Sequence, residues 1–139
     1  LVYIEIDELT GQIEIKKYLA VTDGGHVINP VTYAQQVQGS VAQGLGYAIT
    51  EDFIVKNGHI LTDNLATYII PGAMDIPDII SIPVKTDEES GPFGMKGIGE
   101  VGINGPLPAV ANAIYDACGI HMRQAPFTGE KMLEKRKTL

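Results

Sequence analysis

The run Val2-Tyr3-Ile4-Glu5-Ile6-Asp7, turned at Thr10-Gly11 and resumed at Ile13-Glu14-Ile15, sets Val2, Ile4 and Ile6 against more polar neighbours. A period of two marks a half-buried strand, so the pattern predicts a β-hairpin. Lys17 to Thr22 continues the second strand, and Asp23-Gly24-Gly25 breaks it. The period then changes. Asn29-Pro30 reads as a helix start, with Asn as N-cap and Pro at the first helical position. Ala34, Val37, Val41, Leu45 and Ala48 follow at steps of three and four, which is one buried helical stripe. A hairpin feeding a helix, here over 29–52, predicts an α+β fold: a mixed sheet with β-hairpins and two or three packed helices.

The rest of the chain fits that frame. Lys56-Asn57-Gly58-His59 lies between the apolar runs 53–55 and 60–61, a strong signal for a type I′ hairpin. Leu65 to Ile70 reads as a further extended stretch, ended by Pro71-Gly72, and Ile79 to Val84 as a strand. Pro83 confines that strand to an edge or its own end. Pro108 to Ala117 is a small-residue helix stopped by Gly119, and Thr128 caps a short terminal helix. No repeat, low-complexity tract or linker divides the sequence, so residues 1–139 read as one domain. It opens on Leu1 inside a strand-like pattern, which suggests a piece of a longer polypeptide.

Hydrophobic residues make up 45% of the 139 and charged residues 19%, which is ordinary globular usage and argues against disorder. Ten Lys and Arg against 17 Asp and Glu leave a net charge of −7, the wrong sign for a nucleic-acid binder driven by phosphate neutralisation. No apolar run is long enough to cross a bilayer. The single Cys118 excludes an internal disulfide framework and a multi-cysteine metal site; it reads as a buried small hydrophobe. His26, His59 and His121 show no metal-ligand spacing, so no metal ligand is predicted. The basic end (Lys131, Lys135, Arg136, Lys137) reads as the solvated C-terminus of a helix. These features suit an acidic cytoplasmic protein with no nucleic-acid or membrane partner.

Two segments are candidates for chemistry. Six glycines fall between Gly91 and Pro106, around Lys96-Gly97-Ile98-Gly99-Glu100. Such backbone lets main-chain N–H groups approach a ligand closely. A carboxylate closing the loop suits a buried general base, although a surface turn with a solvated Glu matches the same spacing. The segment has neither the phosphate-loop nor the dinucleotide pattern. On the helix, Gln36, Ser40, Gln43 and Tyr47 form a polar, uncharged stripe beside Gly39, Gly44 and Gly46. Amide side chains both donate and accept, which suits a ligand with amide-like edges such as a pterin; a solvated polar face accounts for the stripe equally. The helical glycines call for close approach of something to the helix.

Taken in order, these motifs resemble the C-terminal part of the molybdenum-binding subunit in the xanthine dehydrogenase/aldehyde oxidase family of molybdenum hydroxylases. The resemblance runs over nearly the whole chain. It rests on Ile4-Glu5-Ile6-Asp7 with Thr10-Gly11, Asp23-Gly24-Gly25 with Ile28-Asn29-Pro30, and Gln36-Val37-Gln38-Gly39 with Gln43-Gly44-Leu45-Gly46. It continues through Tyr68-Ile69-Ile70-Pro71, Gly94 to Glu100, and Asn112-Ala113-Ile114. It implies the family's second molybdenum cofactor-binding domain, with Glu100 as the active-site base in a dry pocket and Gln36 on the pterin. Gln43, Gly97 and Gly99 would be further cofactor-binding positions. The implied reaction hydroxylates an N-heterocycle (purine-like) or an aldehyde, with water as the oxygen source. The implied cofactor is molybdenum–molybdopterin, in its plain or cytosine dinucleotide form. Iron–sulfur clusters and FAD would sit on partner domains or subunits, beside the remainder of the molybdenum subunit. The alternative is an isolated non-catalytic fragment or assembly module without cofactor. Three departures stand out: Gln38 where many relatives carry an acidic residue, Met95 where a small residue is common, and Val101-Gly102-Ile103 in place of a proline-bearing continuation.

Overall fold

The structure, a computed structural model, describes residues 1–137. Strand β1 (Val2–Ile6) pairs antiparallel with β2 (Ile13–Asp23), joined by the turn in which Asp7 Oδ1 accepts from the amides of Leu9 and Thr10. The register shifts between Tyr3 and Ile4, where β2 carries one extra residue, a bulge that sharpens the local twist. Helix α1 (Pro30–Ile49) follows. Asn29 is its N-cap, accepting from Val31 and Thr32 at 3.0 and 3.3 Å, and Pro30 opens it.

A small hairpin, β3 (Val55–Lys56) and β4 (His59–Ile60), turns on Asn57 and Gly58, both with positive φ (52° and 79°). These are the two left-handed positions a type I′ turn requires. Strand β5 (Asp78–Val84) returns parallel to β2 and completes a three-stranded sheet in the order β1-β2-β5, so the sheet is mixed and Pro83 lies on an edge strand. Helix α2 (Pro106–Cys118) ends at Gly119 in the left-handed conformation, φ 71°. Helix α3 (Gly129–Arg136) starts at Thr128, whose side chain accepts from Lys131 N.

The helices cover one face of the sheet. Tyr18, Ala20 and Ile79 of the sheet meet Val37, Val41 and Leu45 of α1 and Val110 and Ile114 of α2 in one core. The α1 stripe lies slightly off the expected line: Tyr33 and Ser40 are buried, whereas Ala34 is only half-buried. Tyr33 is drawn in because its hydroxyl donates to Thr22 O at 2.7 Å and its ring lies against Gly24, where a Cβ would come within 2.3 Å of Cε2.

Two expectations fail. Residues 65–70 form no strand. Asn64 instead caps a tight turn, accepting from Ala66 N at its side chain and from Thr67 N and Tyr68 N at its carbonyl. Such side-chain bonding competes with a sheet ladder. Cys118 is exposed, because the buried stripe of α2 runs out at Ile114; its thiol donates to Ile114 O at 3.1 Å. The basic end is the exposed last turn of α3, as expected, with Lys135, Arg136 and Lys137 all exposed. Lys131 Nζ donates to Ala125 O and Pro126 O, and Arg136 donates to Glu8 O and pairs with its carboxylate.

Candidate functional site

The glycine-rich loop is docked onto the end of β2 by backbone and by charge. Lys96 N donates to Gly24 O at 3.0 Å, and His26 N donates to Gly94 O at 2.8 Å. Lys96 Nζ reaches Asp23 Oδ2, whose other oxygen accepts from Thr86 Oγ1 and Gly25 N. Those partners, Lys96 first, pull the Asp23 pKa down to about 2, and Asp23 in turn raises that of Lys96. Gly25 has φ 66° and is so close to Gly94 O that a Cβ would clash, so this position must stay free of a side chain to seat the loop. Phe93 stands out of the loop with φ 55°, almost fully exposed, a conformation uncommon for a bulky residue.

Glu100 comes next along this loop. Its carbonyl accepts from Ile103 N and so opens the 3-10 turn Val101–Asn104. That turn is pressed onto α1 at two glycines. A Cβ on Gly102 would fall 2.1 Å from Ser40 Oγ, and one on Gly44 would fall 2.7 Å from Ile103 O. The close approach expected at the helix is therefore made at Gly44 by the chain's own loop, while Gly39 has open space beside it. Ser40 turns inward, donating to Val37 O. The Glu100 side chain is exposed, so the dry surroundings expected of a buried base are not supplied by the described residues.

Gln36 and Gln43, two turns apart, are both exposed on α1. Gln43 Nε2 donates to Tyr47 OH at 3.1 Å, which leaves the Gln43 carbonyl oxygen free to accept and the Tyr47 hydroxyl free to donate. At 100° per residue this row lies beside Ser40 and Gly44, so the polar face flanks the line on which the Glu100 turn rests. Gly97 and Gly99 have no atom within 4 Å of where a Cβ would sit, so one side of each is open to a ligand. Gln38 lies on the opposite side of α1, its Nε2 donating to Ile79 O. A carboxylate there could not make that bond.

Sequence reasoning missed the Asp23–Lys96 ion pair, the inward role of Ser40, and the Glu51–Tyr68 pair at the end of α1. There Tyr68 OH donates to Glu51 Oε2 at 2.5 Å and its pKa is pushed up to about 12 by that carboxylate. Spacing carries no signal for contacts this remote along the chain. His121 stacks on Tyr115 with centroids 4.1 Å apart. Among the described residues there is no group of three or more His, Cys, Asp or Glu able to hold a metal ion, and no helix is long and apolar enough to cross a membrane.

The family model described as a molybdopterin cofactor-binding domain matches residues 1–77. Among curated proteins, the chain is 40% identical over 132 residues to the protein named "Probable hypoxanthine oxidase XdhD" of Escherichia coli (strain K12), covering 94% of this chain and 14% of that one. It is 36% identical over 138 residues to the aldehyde oxidoreductase molybdenum-binding subunit PaoC of the same organism, covering 96% and 19%. The chain thus spans less than a fifth of the length of these relatives. Among solved structures, quinoline 2-oxidoreductase from Pseudomonas putida 86 superposes with a TM-score of 0.91 at 29% identity, covering 98% of this chain and 18% of that one. The aldehyde oxidoreductase from Desulfovibrio desulfuricans ATCC 27774 gives 0.86 at 34% identity, covering 96% and 15%. The mixed α+β arrangement of small sheets and three helices is shared with these enzymes.

Proposed function

Because this chain belongs to the molybdopterin cofactor-binding domain family, we propose that it is one domain of the molybdenum-binding subunit of a xanthine dehydrogenase/aldehyde oxidase-type hydroxylase, with Glu100 as its active-site base. The observation that carries the proposal is the placement of the Glu100 turn on α1. Gly102 and Ile103 sit against Ser40 and Gly44, next to the exposed Gln36–Gln43–Tyr47 row. A carboxylate, a row of amides and the open glycines Gly97 and Gly99 are thus held by one helix and one loop.

The donor set fits a pterin. Gln36 and Gln43 would hold its amide-like edges, and open backbone at Gly97 and Gly99 would let N–H groups approach its oxygens. When bound, the molybdenum cofactor supplies a Lewis-acidic centre that accepts two electrons. Glu100 takes up the proton released as a water-derived oxygen becomes nucleophilic toward an electron-poor carbon of an N-heterocycle or aldehyde, and holds it at a carboxylate oxygen. The Asp23–Lys96 pair fixes the loop that carries this carboxylate. Electrons leave through iron–sulfur clusters and FAD on other domains or subunits, and a cytoplasmic location belongs to the same proposal.

One observation favours a second reading for these residues on their own. Glu100 is exposed, so the walls that dry the site come from the rest of the subunit, and the domain alone is inactive. The test is Glu100→Gln in the complete enzyme. Molybdenum content, read by elemental analysis, stays at the wild-type level while turnover falls at least ~100-fold, as for loss of a positioned base. Near-normal turnover overturns the assignment.

A further inference from the structure

Two residues of α1 lie under the loop that ends in Glu100. In the first turn of the helix, the Tyr33 ring and Ile98 Cγ2 share the space that a side chain on Gly24 would fill; a Cβ there would meet both, Ile98 at 3.0 Å. Tyr33 is 6% exposed and its hydroxyl donates to Thr22 O at 2.7 Å, so the ring is fixed. Lys96 N donates to Gly24 O, which brings the main chain of the loop to the same place. One heptad further along, the buried Ser40 meets Gly102 with no room for a methyl group between them. The loop is thus seated twice on one helix, at Ile98 and at Gly102.

The spacing of the seats matters. Tyr33 and Ser40, seven residues apart, return to within about 20° of the same helix face and stand about 10.5 Å apart along the axis. Four residues lead from Ile98 to Gly102, a reach of at most about 14 Å, so the segment between has little slack. Gly99, Glu100 and Val101 within it are exposed, so the place of the carboxylate is set by the two seats. Gln36 and Gln43 repeat the same heptad three residues later, about 60° round the helix.

We propose that Tyr33 and Ser40 are positioning residues for Glu100: through Ile98 and Gly102, one heptad of α1 holds both ends of the segment that carries the carboxylate. Because the same helix carries Gln36 and Gln43, it also sets the register of carboxylate against amides. A reacting group displaced by about 1 Å costs up to ~100-fold in rate, so slack at either seat reaches turnover without touching the ligand. Tyr33 and Ser40 are both buried, and neither belongs to the exposed Gln36–Gln43–Tyr47 row. The inference rests on the reading of Glu100 as base.

The test uses the complete enzyme. Tyr33→Leu removes the ring at one seat and Ser40→Gly the contact at the other; Ile98→Ala, at a half-buried side chain, replaces Tyr33→Leu if that variant does not fold. Each is expected to lower kcat at least ~10-fold, while KM stays within about twofold and pterin content stays at the wild-type level. In a Glu100→Gln background neither adds a further loss, because all act through one group. Unchanged kcat at either seat, or losses that multiply with that of Glu100→Gln, overturn the inference and leave the base assignment standing. Near-normal turnover in Glu100→Gln alone overturns the base assignment, and the inference falls with it. A second readout needs no turnover. Ile103 N donates to Glu100 O at 3.1 Å, and hydrogen exchange at this amide is expected to quicken at least ~10-fold in each variant. Val41, buried on α1, keeps its wild-type protection. Unchanged exchange at Ile103 overturns the proposal as well.

Discussion

Lys96 Nζ lies 2.7 Å from Asp23 Oδ2 across 73 residues of sequence, and this contact pins the loop that ends in Glu100 to the end of β2. Backbone hydrogen bonds from Lys96 to Gly24 and from His26 to Gly94 lie beside it, so charge and main chain enforce the same docking.

That pair makes the docking dependent on pH. Folded Asp23 stays ionised down to about pH 2, whereas an unfolded aspartate takes up its proton near 3.8. The pair's contribution is therefore complete above about pH 4 and is lost as the pH falls toward 2. Lys96 is shifted upward from 10.5, so at the alkaline end the contribution holds below that value and is lost as the pH rises past it. Asp23→Asn is expected to lower the melting temperature at pH 6, by a gap that is constant down to about pH 4 and then narrows as the pH falls to about 2. A difference that stays constant over the whole range would show that the pair does not act through its charge.

The Glu100 turn depends on a steric fit that a single methyl group tests. Gly102→Ala drives a Cβ to within 2.1 Å of Ser40 Oγ and 3.2 Å of Ser40 Cβ. Ser40 is buried and hydrogen-bonded to Val37 O, so it has little room to yield. Overpacking of this kind destabilises by about 1–3 kcal/mol. Adding Ser40→Gly removes the two atoms closest to the methyl, leaving Val37 O at 3.5 Å, and a denaturant double-mutant cycle is expected to show recovery of part of the loss. Strict additivity of the two changes would mean that the turn does not rest on Ser40.

The local parts of this fold were legible because each is written in neighbouring residues. Alternation at Val2–Ile6, the Asn29-Pro30 cap, Asn57-Gly58 and Gly119 each specify a strand, a start, a turn and a stop through backbone preferences of one or two residues. The strand expected at 65–70 failed for a local reason too: the side chain of Asn64 outcompetes the ladder. What spacing does not carry is pairing at a distance. Nothing in Tyr68 announces Glu51, and nothing in Gly102 announces Ser40, because those contacts arise only when helix and loop meet. Glu100 was legible as the closing carboxylate of a glycine loop, but its exposure was not, since burial depends on which elements lie above it.

Leu45 and Gln43, two residues apart on α1, separate stability from function. Leu45 is 1% exposed in the core formed by α1, α2 and the sheet, and Leu45→Ala removes three carbons there. The expected loss is about 2–5 kcal/mol, set by how far the site can collapse. Gln43 is exposed and its side chain donates to Tyr47 OH, so Gln43→Ala is expected to change stability by less than about 0.5 kcal/mol. In the complete enzyme the ranking inverts at the cofactor. Gln43→Ala is expected to lower pterin content or turnover while the melting temperature is kept. Leu45→Ala loses melting temperature, and at permissive temperature its folded fraction carries cofactor normally. Full pterin loading and turnover in Gln43→Ala would remove that residue from the site and leave the exposed row on α1 as an ordinary solvated face.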